Sequence, residues 1–397
     1  MKNKARILLT FMLTMSIALT GCSMEKKDAQ LANEYLTDSL AESSTTDEAN
    51  AEKSIVVMKD LFEPELEESV SNESAASDNA NEAVSIERDQ CVEIVFFGDS
   101  QIAHGRDDGT DIPSLLAQRV PNSICYNLAI GGTTASLEKS TSEINPENMK
   151  SLSFVGMVNC LLGKSDREDT LSGYQNILST MNSIDTANVD YFIIEYGAND
   201  FFNEVPLDNS LYDADQYHSY YNALKSGIDA LKNACPDATI ILMTPFYGIY
   251  VDSSDNTYIG DSFIVSNGIG TLGDYASKVQ YLADEMGLIY FDGMFATKCD
   301  LYLDTANQYL FDNLHLTLTG RQIFSRLLAH YINFQEHNEP YAYLETDFIK
   351  IAEFDPEEYY RYDEGQMKEY FPESWEKYIK GEFPLAQPSD EALSWGD

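Results

Sequence analysis

Val92-Glu93-Ile94-Val95-Phe96-Phe97-Gly98-Asp99-Ser100 opens the globular part of this 397-residue chain. Its apolar run is short and closes on Gly-Asp-Ser, which reads as a buried strand feeding a loop. The pattern recurs downstream. Ser123 to Leu128 reads as a strand that runs into Asn127-Leu128-Ala129-Ile130-Gly131-Gly132-Thr133, and Asp190 to Tyr196 as a strand that runs into Gly197-Ala198-Asn199-Asp200. Ala238 to Met243 is a strand closed by Thr244-Pro245, and Leu288 to Phe291 a shorter one. Helical stretches lie between them. Ile112 to Arg119 carries Pro113 in its first turn, where proline is tolerated. Asp213 to Cys235 places Tyr217, Tyr220, Tyr221, Leu224, Ile228 and Leu231 at helical spacing, and Leu272 to Met286 and Thr319 to Ile332 follow. Strands alternating with helices predict an α/β fold, a three-layer α/β/α sandwich with a parallel sheet covered on both faces.

In open α/β sheets ligands bind outside the carboxyl ends of the strands. Three polar clusters sit there: Gly98-Asp99-Ser100, Asn127 to Thr133, and Gly197 to Asp200. A fourth, Asp312-Asn313-Leu314-His315, precedes the last helix. A serine hydroxyl is a weak nucleophile and needs a base within hydrogen-bond reach. An imidazole suits that task, and a carboxylate on its other nitrogen fixes tautomer and orientation. Two intervening residues let Asp312 and His315 share one tight turn. Glycine at 132 allows close backbone approach, and the Asn199 amide can donate to a developing oxyanion. His104, His218, His330 and His337 are the rival histidines; His218 and His330 lie within helical patterns, where surface or core roles suffice, and His104, four residues past Ser100, could line the site but has no carboxylate placed as neatly. The Asp-rich stretch Asp252 to Asp261 lacks the spacing of a calcium loop and reads as a solvated loop.

Taken together, these blocks resemble the SGNH (GDSL-like) hydrolase superfamily, over about residues 92–333. The resemblance implies a flavodoxin-like SGNH fold, with Ser100 as nucleophile, His315 as general base and Asp312 as its orienting acid. It implies an oxyanion hole of Gly132, Asn199 and the Ser100 backbone N–H, and chemistry without metal or organic cofactor. Gln101 departs from the bulky apolar residue the family often carries after the serine. That departure bears on the acyl pocket.

The flanks differ in composition. Lys2, Lys4 and Arg6 precede a short apolar stretch, Ile7 to Leu19, and then Leu19-Thr20-Gly21-Cys22. This reads as an export signal over 1–21, and the last four residues resemble a bacterial lipobox. The resemblance implies lipidation of Cys22 and anchoring on the extracellular face of the bacterial cell membrane. Residues 22–90 are acidic, rich in Ser, Ala and Asn, and hold only Tyr35 and Phe62 as aromatics. They read as a disordered tether. Residues 91–337 form the hydrolase domain. Residues 338–397 are acidic yet hold 13 aromatics, so this extension is expected to pack on the core or bind a ligand. The remaining five cysteines show no CxxC, which argues against a zinc site or a disulfide scaffold, and Cys125 and Cys235 read as buried thiols. A net charge of −41 excludes nucleic acid as a partner, because phosphates must be met by Lys and Arg.

Three functions fit. One is an esterase removing small acyl groups, acetyl foremost, from extracellular carbohydrate through an acyl-serine. A second is an O-acyltransferase passing the acyl group to a cell-wall or secreted polysaccharide. The third is a non-catalytic glycan-binding lipoprotein. Segments 133–170 and 246–271 are expected to form the pocket rim, with Phe201, Phe202, Phe246 and Tyr247 as candidate walls.

Overall fold

The computed structural model describes residues 91–208, 216–252, 254–338, 346–356, 365, 368–369 and 372–380. The expected signal, Cys22 and the tether lie outside the described residues, as does much of the C-terminal extension. Among the described residues there are seven strands: β1 (Val92–Gly98), β2 (Ser123–Asn127), β3 (Val189–Glu195), β4 (Thr239–Met243), β5 (Ile249–Val251), β6 (Tyr258–Asp261) and β7 (Ile289–Phe291). Five of them form one sheet in the order β2-β1-β3-β4-β7, with every neighbouring pair parallel. The central strands are apolar runs because both of their faces are covered.

Register separates those faces. Val95 and Phe97 pair with Phe192 and Ile194, while Ile94, Phe96 and Gly98 pair with Tyr191, Ile193 and Glu195. On the first face Phe97 meets Phe154 edge-on at 5.4 Å between ring centroids. The second face continues through Ile241 and Met243 to Ile289 and Phe291. There Phe291 meets Phe324 at 6.2 Å.

The helices are α1 (Ser100–Ala103), α2 (Ile112–Ala117), α3 (Phe154–Leu161), α4 (Arg167–Thr170), α5 (Gln175–Ser183), α6 (Ala198–Phe202), α7 (Tyr220–Ala234), α8 (Leu272–Met286), α9 (Ala306–Tyr309), α10 (Leu318–Gln335) and α11 (Pro372–Ile379). Helix α3 packs on α7 and α10 on α2. The boundaries of α8 follow from local chemistry. Thr271 and Asp274 form a reciprocal capping box at its start, and Gly287 ends it in a left-handed conformation at φ 63°.

Several expectations change. Helix α7 starts at Tyr220, after Ser219 in extended conformation, and residues 213–215 lie outside the described residues. Segment 133–170 is more than a rim loop, since all eight residues of α3 are buried. A helix covered all round shows no amphipathic period to read. Gly227 on α7 makes room for it, because a Cβ there would meet the Phe154 ring at 2.3 Å. The Asp252–Asp261 stretch is the turn and second strand of an antiparallel β5–β6 hairpin, not an open loop. Asp252 and Asp255 accept hydrogen bonds from the amides of Ser254 and Thr257 inside that turn.

None of the five described cysteines forms a disulfide. Cys235 is buried, whereas Cys125 is only half-buried because it sits on edge strand β2. The part of the extension at 346–356 packs on the domain. Ile349 is fully buried and its N–H donates to the Lys298 carbonyl at 2.9 Å. Phe354 lies under the buried Arg326 guanidinium, 4.9 Å from ring centroid to guanidinium carbon.

Candidate active site

Strands β1 and β3 are neighbours in the middle of the sheet, with β2 on the far side of β1. At such a reversal of strand order the loops diverge and leave a crevice. Ser100 enters it as the first residue of α1. Asp99, not Ser100, caps that helix by accepting the Gln101 N–H at 2.9 Å. The Ser100 hydroxyl is thereby left for His315, whose Nε2 lies 2.8 Å from Ser100 Oγ across 215 residues of sequence.

The other ring nitrogen of His315, Nδ1, lies 2.6 Å from Asp312 Oδ2. Asp312 Oδ1 also accepts the backbone N–H groups of Leu314 (3.1 Å) and His315 (2.7 Å). Asn313 takes a left-handed φ of 72°, which asparagine tolerates better than most residues. The turn read from the sequence is therefore closed by its own carboxylate.

Gln101 clasps this turn from the serine side. Its Nε2 donates to the Leu314 carbonyl at 2.7 Å, and its Oε1 accepts the Leu316 N–H at 3.4 Å. The side chain is buried, so its place is beneath the histidine loop rather than along an acyl pocket. Arg321 of α10 adds a second tie, donating to the Leu316 carbonyl (2.8 Å) and to Thr110 O and Oγ1 (2.7 and 2.9 Å). Residues that follow the serine and residues that surround the histidine are thus held as one unit.

The electrostatics suit a histidine base. Burial alone would lower the His315 pKa, but the Asp312 hydrogen bond and charge, with the Asp99 charge, outweigh it and leave it raised. Burial likewise disfavours the Asp312 carboxylate, yet the bonds and charge of His315 and the Leu314 N–H hold its pKa below the ordinary value. Each partner favours the charged form of the other.

Asn199, the second residue of α6, donates from Nδ2 to Asp99 Oδ2 at 3.0 Å, which brings its amide to the serine loop. Gly132 lies in the loop after β2 with a left-handed φ of 78°. Its neighbour Gly131 packs nearer the nucleophile, since a Cβ there would stand 3.6 Å from Ser100 Cβ. Asp200 is fully buried and accepts from Ala135 N (2.8 Å), Ser136 N (3.2 Å) and Ser136 Oγ (2.9 Å), locking the loop after β2 to α6. Ser100, His315, Asp312 and Asn199 therefore converge, with Gly131 and Gly132 alongside. The arrangement can move a proton from Ser100 to His315.

Residues 94–328 match the family model of the GDSL-like lipase/acylhydrolases. The chain belongs to that family. It is a member of the SGNH hydrolase superfamily, whose members are typically esterases or lipases. Among solved structures it is similar to one described as a possible lipase from Chitinophaga pinensis, at 17% identity and TM-score 0.41, covering 62% of this chain and 99% of that one. A family two carbohydrate esterase from Clostridium thermocellum, solved with cellohexaose, shares 18% identity at TM-score 0.37, covering 62% and 65%. A salicylyl-acyltransferase from a tetracycline biosynthetic pathway shares 13% identity at TM-score 0.36, covering 64% and 57%. No curated protein matches the chain.

Around this GDSL-family site two rings stand beside His315: His104, which the sequence offered as a lining residue, and Phe311, which it did not single out. Phe311 stacks against His315 at 5.8 Å with 55% of its surface exposed, and His104 lies 5.0 Å from Phe311 and 6.4 Å from His315. Burial, with the charges of Arg321 and His315, lowers the His104 pKa and favours its neutral form. Phe201, Phe246 and Tyr247 do not wall a pocket, because each is buried. Phe246 packs 4.4 Å from Phe324 of α10, and only Phe202 of the four expected residues is exposed. The rival histidines find other neighbours: His218 Nε2 meets the Thr141 carbonyl at 2.7 Å, and the His330 ring lies edge-on to Tyr331.

Proposed function

We propose that this GDSL-family protein is a serine esterase on the extracellular face of a bacterial membrane, removing small acyl groups, acetyl foremost, from carbohydrate. The observation that carries the reading is the unbroken line Ser100 Oγ, His315, Asp312, with contacts of 2.8 and 2.6 Å. His315 takes the Ser100 proton as the oxygen attacks the ester carbonyl. The oxyanion is met by the Asn199 amide and the backbone N–H groups of Ser100 and Gly132. Collapse releases the alcohol, which receives its proton from His315 and leaves an acyl-serine. Water attacks that ester by the same route, and Ser100 regains its proton.

Carbohydrate as the alcohol draws support from Phe311. Its exposed ring lies beside the histidine that protonates the leaving alcohol, and the apolar face of a sugar stacks on such a ring. The surface location rests on the signal and Leu19-Thr20-Gly21-Cys22, which would tie Cys22 to lipid.

The test is turnover by the purified mature chain on an activated acetyl ester and on acetylated oligosaccharides, beside Ser100→Ala. Acetate release lost in the variant supports the reading. A folded wild type that stays silent until a sugar acceptor is added is the transferase, and one that binds glycan without either reaction is the non-catalytic protein.

Two substitutions refine it. Asn199→Ala is expected to lower kcat by about 10²–10³-fold, the scale for one oxyanion donor. KM should barely move, and a loss confined to KM would remove Asn199 from the oxyanion site. Phe311→Ala is expected to raise KM for acetylated oligosaccharides about three- to tenfold, as one lost ring contact would. Initial rates on a small aliphatic acetate should change less than twofold. Equal effects on both substrates would take the sugar away from Phe311.

A further inference from the structure

The end of β3 carries a carboxyl that the reaction scheme leaves unused. Gly98 pairs with Glu195 in the β1–β3 register, so Glu195 stands beside the turn that begins at Asp99. Neither side chain has any exposed surface. Asp99 accepts the Gln101 N–H through Oδ1 and the Asn199 amide through Oδ2, and the Glu195 carboxyl lies beside it with both oxygens buried and meeting no donor. The ionisable groups facing the pair are His315 from the 312–315 turn, Asp200 from α6, and the phenols Tyr196 and Tyr220.

Two adjacent carboxyls out of water cannot both be ionised at modest cost, so one keeps a proton. Geometry decides which. Asp99 has two N–H donors aimed at it and is stabilised as the anion. Glu195 meets no N–H donor on either oxygen, and the ionisable group beside it is Asp99 itself. Burial raises both pKa values, that of Asp99 to about 6 and that of Glu195 well above its ordinary value, which places the proton on Glu195.

We infer that Glu195 is a positioning residue, a neutral hydrogen-bond donor that keeps Asp99 an acceptor and so holds the Asn199 amide nitrogen toward the oxyanion. The inference rests on the serine-esterase reading. A carboxylate can only accept, so Asn199 must turn its NH₂ group, not its carbonyl, toward Asp99. One hydrogen of that group is spent on Asp99 and the other faces the site. Were Asp99 to donate instead, the amide would flip and present its carbonyl oxygen to the developing negative charge.

The experiment compares wild type, Glu195→Gln and Glu195→Leu in the mature chain, with Glu195→Leu repeated in an Asn199→Ala background. Steady-state rates are measured on an activated acetyl ester at pH 7.5, folding is checked by thermal melt, and Ser100 is labelled with a fluorophosphonate. Glutamine is a permanent neutral donor and is expected to keep kcat within about fivefold of wild type. Leucine is expected to lose at least tenfold in kcat with KM unchanged, but less than twofold when Asn199 is already alanine, because the two act through one contact. A glutamine variant as slow as the leucine one, a leucine variant as fast as wild type, or equal losses in both backgrounds overturns the inference. If the leucine variant does not fold, the glutamine variant decides alone: a loss beyond fivefold overturns the role. A folded wild type that neither labels nor turns over sinks the esterase reading, and the inference falls with it. A labelled, active wild type with the wrong variant pattern sinks the inference only.

Discussion

Ser100→Ala is expected to cut kcat on an activated acetyl ester by a factor on the order of 10⁴–10⁶, with a thermal melt close to wild type. The size follows from losing the nucleophile in a unit whose members act together. His315→Ala should cost about as much, and the double variant scarcely more than either single one. Ser100 is the first residue of α1, and Asp99, which caps that helix, is untouched by the change. A loss of activity through unfolding is therefore separable from loss of chemistry. Residual turnover above 1% of wild type in Ser100→Ala would mean that another group attacks the ester.

Replacing Asp312 by Asn gives the second large effect, and it carries a sign in pH. The base must be unprotonated to accept the serine proton, so activity rises as pH rises through the His315 pKa. Although burial pulls that pKa down, Asp312 and Asp99 together leave it above the ordinary 6.5, so the wild-type acid limb should lie above pH 6.5. The asparagine variant loses the charge and keeps the burial, so its acid limb should move to lower pH. The rate at the plateau should fall on the order of 10³-fold. That is less than the ~10⁴ seen where such a carboxylate is deeply buried, because the Asp312 side chain keeps 43% of its surface exposed. A kcat/KM profile from pH 5 to 9 checks both. An unmoved acid limb would show that Asp312 does not set the imidazole.

Much of the architecture was legible because its signals are local. Buried parallel strands are written as apolar runs closed by Gly or Pro, and the five sheet strands lie within one residue of the runs read as strands. Asp312 and His315 could be paired because the contact spans a single turn. The reading failed where a residue's role depends on a partner far away. Gln101, next to the serine, reads from sequence as bearing on the pocket, yet its partners lie more than 200 residues on. Phe201 and Phe246 follow strand ends, as pocket residues do, but the chain turns them into the core. Helix α3 has no polar face to give it away. Glu195 did carry a signal, a lone charge closing the run Tyr191-Phe192-Ile193-Ile194, but its meaning appears only when the β1–β3 register sets it beside Asp99.

The Gln101 clasp bears on which residues of the histidine loop are constrained. Both of its bonds go to main-chain groups, the Leu314 carbonyl and the Leu316 amide. It therefore specifies the path of the histidine loop while reading none of the loop's side chains. The Gln101 bonds hold residue 314 through its carbonyl alone. Gln101 itself is constrained, because a replacement must both donate and accept. A side chain change at residue 314 thus leaves both Gln101 contacts available, whereas loss of Gln101 removes both at once.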